Sequence, residues 1–268
     1  MISFKRKNNT NFIIGCIMTG VIALFVLVGV FYTPYDPNQM NGSLKNVSPS
    51  LSHLFGTDNF GRDIFSRVME GAGTTFMIAV ITVLIGAGIG ILLGAVTGYF
   101  GGVLDEVLMR VNDSVTSFPS ILLALVFVSI LGAGTYNIVL ALGIIFIPSF
   151  ARVVRSEFLI YREMDFVKNA KLMGAGHLRI MFVHILPNTK PILLTSLMIG
   201  FNNAVLAEAG MSYLGLGVQP PQASLGRMLS EAQAYLLYAP WYALAPGLMI
   251  VMTVLSVNLM SGGAVNER

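Results

Sequence analysis

The chain is 268 residues long, 55% hydrophobic and only 11% charged, with a mean hydropathy of +0.76 and a formal net charge of +3. Soluble domains carry about 25% charged residues, so these values argue against a soluble core and for a polytopic membrane protein. Its Lys and Arg residues form no stripe of the nucleic-acid-binding kind, and with Cys16 as its single cysteine no intrachain disulfide can form.

Lys5, Arg6 and Lys7 precede an uncharged run from Phe12 to Phe31. The run reaches the ~20 residues needed to cross the hydrocarbon and exceeds the ~7–15 of a secretory apolar core. Its flank, FYTPYDP, is a poor cleavage site, so it reads as a retained first transmembrane helix. A segment rich in Pro, Asn, Gly and Ser follows, from about Tyr32 to Gly73. Further apolar runs at roughly 75–99, 115–132, 137–154, 191–209 and 241–260 complete six expected spans, the third with Pro119 near its start. Between the last two lies Met211 to Pro240, where Pro220–Pro221 cannot continue a helix and Gly215 and Gly217 permit tight turns. The expected organisation is a first helix with its external segment over 1–74 and a five-helix core over 75–268, which contains a cytoplasmic segment at 155–190.

Orientation follows from the basic residues. With the N-terminus inside, Lys5, Arg6, Lys7, Arg110, Arg152, Arg155, Arg162, Lys168, Lys171, Arg179, Lys190 and Arg268 fall on the cytoplasmic side, against Lys45, Arg62, Arg67 and Arg227 outside. The excess places both termini in the cytoplasm by the positive-inside rule.

Two patterns stand out. Gly86, Gly90, Gly94 and Gly98 recur every fourth residue and so share one helix face. Such a stripe makes a groove that another helix can approach closely. The second is the basic stretch DFVKNAKLMGAGHLRIMFVHILPN at 165–188, between apolar runs. Phe166, Val167, Ala170, Met173 and Gly174 fall on one helical face, and Lys168 and Lys171 lie off it. Gly174 and Gly176 let the chain leave the helix, and a second short helix from His177 to about Ile185 is expected to close at Pro187. Spacing alone leaves two readings open: a helix docking by its apolar face into a partner's groove, or an interfacial helix resting on lipid.

The chain lacks a GxxxxGK[ST] phosphate loop and any evident nucleophile–base pair, so no catalytic residue is expected. His53, His177 and His184 lie on both sides of the membrane and cannot form one metal site. Glu208, near the outer end of the fifth span, is a possible pathway or gate residue, because an acid within a span is a functional candidate by default.

The 165–188 stretch resembles the EAA loop by which the membrane subunits of ATP-binding-cassette importers grip their ATPases. The matching positions are Lys168-Asn169-Ala170, then Gly174 and Ala175, then Leu186-Pro187; the motif's glutamate and first alanine are not kept. GTDNFGRDIFSR at 56–67, MRVNDSVTSFPSILLAL at 109–125, AEAGMSYLGLGVQPP at 207–221 and GRMLSEA at 226–232 resemble the second permease subunit of the peptide and nickel importers. Leu225 stands where that branch often has tryptophan, and the end at SGGAVNER is shorter than usual. The resemblance implies an all-α, type I importer permease in a bacterial or archaeal cell membrane. It implies as partners a homologous permease, two ATP-binding subunits and an extracellular substrate-binding protein. It implies no cofactor on this chain, ATP and Mg belonging to the ATPase subunits. Peptides are the expected cargo, with nickel or metal chelates as the alternative and an ATP-independent secondary transporter as the rival class.

Overall fold

A computed structural model describes residues 3–264. The molecule is all helical, and among the described residues the only β-type pairing is an isolated Thr57–Asp63 bridge. Its principal helices are α1 (Ser3–Phe31), α2 (Ile64–Phe100), α3 (Gly102–Thr116), α4 (Ser120–Leu131), α5 (Thr135–Tyr161), α6 (Asp165–Leu172), α7 (His177–Arg179), α8 (Lys190–Tyr213), α9 (Leu225–Ala232) and α10 (Pro240–Ala264). Arg268, counted above as cytoplasmic, and the side chains of Lys5, Arg6 and Lys7 lie outside the described residues.

Among the described residues five helices are long and apolar enough to cross a membrane, and a sixth crossing requires the bent pair α3–α4. The expected third span, 115–132, is therefore not one straight rod: α3 and α4 meet at 87°. Pro119 has no N–H to donate and biases Phe118 away from helical backbone, so the helix stops at Thr116 and restarts at Ser120.

The second span starts at Ile64 rather than 75. Asp63 caps it, its Oδ2 accepting from Ser66 N at 2.8 Å. Arg67 and Glu70 give the first turns the look of a loop, yet Arg67 is fully buried. The 74/75 division thus falls inside α2. Nor does the first helix stand apart: it packs along α10, so closely that a Cβ on Gly15 would lie 2.7 Å from Met260 N.

Pro187 does not close a short helix. From His177 the helical path continues through a π-helical turn (Ile180–Ile185) and a 3-10 turn (Leu186–Thr189) into α8, one apolar element over His177–Tyr213. Widening the helix just before a proline relieves the hydrogen bond the ring cannot make.

At 37 residues α2 is about 55 Å long, well beyond the ~30 Å hydrocarbon core. Its N-terminal end carries the segment that follows α1, and its C-terminal end carries the α6 hairpin. Its middle packs against α5 along the glycine stripe. A Cβ on Gly86 would lie 2.9 Å from Phe146 Cβ, on Gly90 2.7 Å from Phe150 Cβ, on Gly94 2.8 Å from Val154 Cβ, and on Gly98 2.6 Å from Phe158 Cβ. Real side chains do not tolerate such separations, so these positions exclude anything larger than hydrogen at this backbone distance.

Candidate functional site

α6 begins after Met164 with Asp165 in its first turn and Lys171 in its last, the charge order that the helix dipole favours. It ends in a Schellman arrangement: Ala175 N donates to Ala170 O and Gly174 N to Lys171 O, both at 3.0 Å, with Gly174 at φ +82°. A side chain at Gly174 would be strained by that backbone.

The helix does not present the whole expected face to a partner. Val167 and Ala170 are buried against Tyr99, Phe158, Ile180, Met181 and Ile185 of this same chain. That core exists because α2, α5 and the π turn converge on it. Outward instead point Leu172 and Met173, 86% and 89% exposed, with Phe166 half-exposed beside them. Lys168 and Asn169 are exposed, and Lys168 lies 3.8 Å from Asp165. Lys171 places its ammonium 5.5 Å from the centre of the Tyr99 ring, and Tyr99 Oη pairs with His177 Nδ1 at 2.9 Å. Ala175 and Leu186 pack at the edge of the core, and Pro187 is exposed.

Ion pairs join neighbouring helices at this end. Arg155 grips Asp105 of α3 with Nε at 2.5 Å and Nη2 at 2.7 Å. Arg162 Nη1 donates to Gly98 O at 3.1 Å. A push on α6 is thus connected to α2, α3 and α5 by packing and by hydrogen bonds.

The opposite end holds an assembly that the sequence reading did not single out. Arg62 Nε lies 2.5 Å from Asp58 Oδ2 and its Nη2 2.8 Å from Glu231 Oε2. Arg67 lies 3.8 Å from Asp58 and 3.6 Å from Glu231, and donates to Pro37 O at 3.2 Å. Tyr242 Oη and Arg227 Nε also donate to Glu231, at 3.0 and 3.1 Å. Burial alone would raise the Glu231 carboxyl, but Arg67 and Arg62 outweigh it and hold its pKa below the ordinary carboxylate value. The available signal was the set of charges inside GTDNFGRDIFSR and GRMLSEA; nothing in their spacing says that residues so far apart meet.

Glu208, on α8, is fully buried. Ser212 Oγ donates to its Oε1 at 2.6 Å and accepts from Val218 N at 3.1 Å, tying the end of α8 to the following turn. In this structure Glu208, expected as a pathway or gate residue, is a core acid held by the i,i+4 serine and lines no cleft described below.

Residues 90–264 match the family of binding-protein-dependent transport system inner membrane components. The chain belongs to this family. It is 37% identical over 97% of its length to the dipeptide transport system permease DppC of Haemophilus influenzae, covering 90% of that protein. It is 41% identical over 90% of its length to the glutathione transport system permease GsiD of Escherichia coli, covering 81% of it. An inward-facing structure of the MetNI methionine ABC transporter superposes with a TM-score of 0.55 at 20% identity, over 70% of this chain and 88% of that one. That likeness shows the type I importer fold.

Proposed function

We propose that this permease forms half of the pathway of an ATP-driven importer of peptides, paired with a second, homologous permease. The observation that carries the reading is the identity with dipeptide and glutathione permeases over nearly the whole chain. Both named substrates are small peptides, which favours peptides over nickel or metal chelates. Two ATP-binding subunits, with their own ATP and Mg, sit below the hairpin; a substrate-binding protein docks on the outer assembly; both termini lie in the cytoplasm.

Coupling runs through the hairpin. The outward Phe166, Leu172 and Met173, flanked by Lys168 and Asn169, contact the ATPase, while Val167 and Ala170 fasten α6 to its own core. Gly174 and Ala175 shape the turn, and Leu186–Pro187 join the hairpin to α8. ATP-driven closure of the ATPases shifts the helices only if the hairpin's contacts differ between the two states.

Proteoliposomes containing both permeases, the ATPases and the binding protein should take up labelled dipeptide with ATP, and should not take up nickel. Accumulation driven by an ion gradient in liposomes holding this chain alone would overturn the reading in favour of a secondary transporter. For orientation, single cysteines at Asn46 and Lys171 in a Cys16→Ser background should react from opposite sides; labelling of Lys171→Cys by an impermeant reagent in intact cells would reverse it.

A further inference from the structure

Polar side chains within a span need a partner, because the hydrocarbon supplies none. Many hydroxyls in the apolar helices turn back on their own backbone. Ser129 Oγ donates to Leu125 O at 2.7 Å, Ser196 Oγ to Ile192 O at 2.8 Å and Thr253 Oγ1 to Met249 O at 2.7 Å. Asn202 reaches across to α10, donating to Asn258 Oδ1 at 3.2 Å and Val254 O at 3.3 Å. Ser149, near the middle of α5, and Asn203, within α8, do neither. Both are exposed, and neither side chain has a hydrogen-bond partner among the described residues.

These two residues share one place. They line a cleft of about 500 Å³ together with Thr116, Ser120 and Phe146, opened where the α3–α4 elbow turns away from α5 and α8. A further hollow of about 170 Å³ shares Phe146, Ser149 and Asn203 and continues along α5 and α8 to Ser196. Among the described residues no ionisable side chain lines either space. At the edge, Arg152 is already paired with Asp113 at 3.0 Å and lies 3.3 Å from Thr116 Oγ1.

We propose that this cleft binds the backbone amides of the transported peptide, with Asn203 as the specificity-determining residue; the inference rests on the peptide-importer reading above. A primary carboxamide offers both donors and an acceptor, which matches the N–H and C=O of a peptide unit, and the Ser149 hydroxyl can serve either role. A neutral lining reads what all peptides share and leaves termini and side chains unread. The partnerless amide and hydroxyl then acquire, from the cargo, the hydrogen bonds that lipid cannot provide.

The test compares import of a dipeptide with import of its ester analogue, in which oxygen replaces the peptide N–H. The full complex is used with its binding protein and ATPases. Taking the amide-to-ester rate ratio in wild type and in Asn203→Ala, with the same binding protein, cancels that protein's own preference. The ratio should fall about three- to tenfold in Asn203→Ala, the factor expected of one neutral hydrogen bond. Ser149→Ala should move it in the same direction, and Asn203→Gln should restore part of it. An unchanged ratio in a peptide-importing complex overturns the inference alone. Loss of pairing with the second permease in Asn203→Ala also overturns it, by making the cleft a subunit interface. Failure of the wild-type complex to import any peptide removes the functional reading, and this inference with it.

Discussion

The two ends of α2 are built on opposite principles. At its N-terminal end Asp58, Arg62, Arg67 and Glu231 form a buried ionic assembly that joins the segment after α1 to α2, α9 and α10. At its C-terminal end an apolar clasp of Val167 and Ala170 on Tyr99, Phe158 and Ile185 holds a hairpin whose charges stay in water. Buried charges interact strongly and tolerate little displacement, because any shift leaves a charge unpaired. Apolar contacts are non-directional and can slide. The N-terminal end of α2 is thus made to stay in place, and the C-terminal end can transmit a movement.

The contrast breaks most clearly at Glu231. Glu231→Ala would leave Arg62 and Arg67 buried with Asp58 as their remaining carboxylate, at a cost of about 3–5 kcal/mol. Detergent-solubilised protein should unfold at a visibly lower temperature or fail to accumulate; a wild-type melting temperature would mean that the assembly is ornamental. The same carboxyl sets a pH dependence. Its folded pKa is depressed, so its stabilisation is fully present above the ordinary carboxylate pKa and is lost as pH falls through the folded value. Thermal stability should therefore decline on acidification below the usual glutamate range, and Glu231→Gln should flatten that decline.

Next in size is the middle of α2. Gly94→Leu must push α5 away, and overpacking of this kind costs about 1–3 kcal/mol. Poor assembly of the complex is expected, rather than selective loss of transport; a normal yield would show that α2 and α5 can separate without consequence.

The C-terminal end of α2 separates packing from docking. Val167→Asp buries a carboxylate in the clasp and should release the hairpin, exposing the 165–176 backbone to hydrogen exchange while the spans remain folded. Met173→Asp, on the outward surface, should leave exchange and melting unchanged yet weaken ATPase association by about tenfold, as for loss of one apolar anchor. The opposite assignment of effects would place the ATPase contact on Val167 instead. Lys171→Ala should do least, because its place over the Tyr99 ring is worth only about 0.5–1 kcal/mol; abolished uptake in that variant would shift the coupling contact to the basic residues.

Much of this protein is written locally. Apolar runs declare the spans because hydrocarbon selects on length and polarity alone. The four-residue glycine period declares a packing stripe because helical geometry puts those positions on one face. Asp165, Gly174 and the following glycine declare the hairpin because caps and positive φ are properties of a few adjacent residues. What only the tertiary structure decided depends on residues distant in the chain. Arg67 reads as a loop charge until Asp58 and Glu231 arrive beside it. Glu208 reads as an acid near the end of a span until the fold buries it beside Ser212. Val167 and Ala170 read as a docking surface until the ends of α2 and α5 claim them. Ser149 and Asn203 carry no pattern until the elbow at Pro119 opens a cleft between their helices. Periodicity tells which residues share a face; the fold determines whether that face meets lipid, another helix or the cargo.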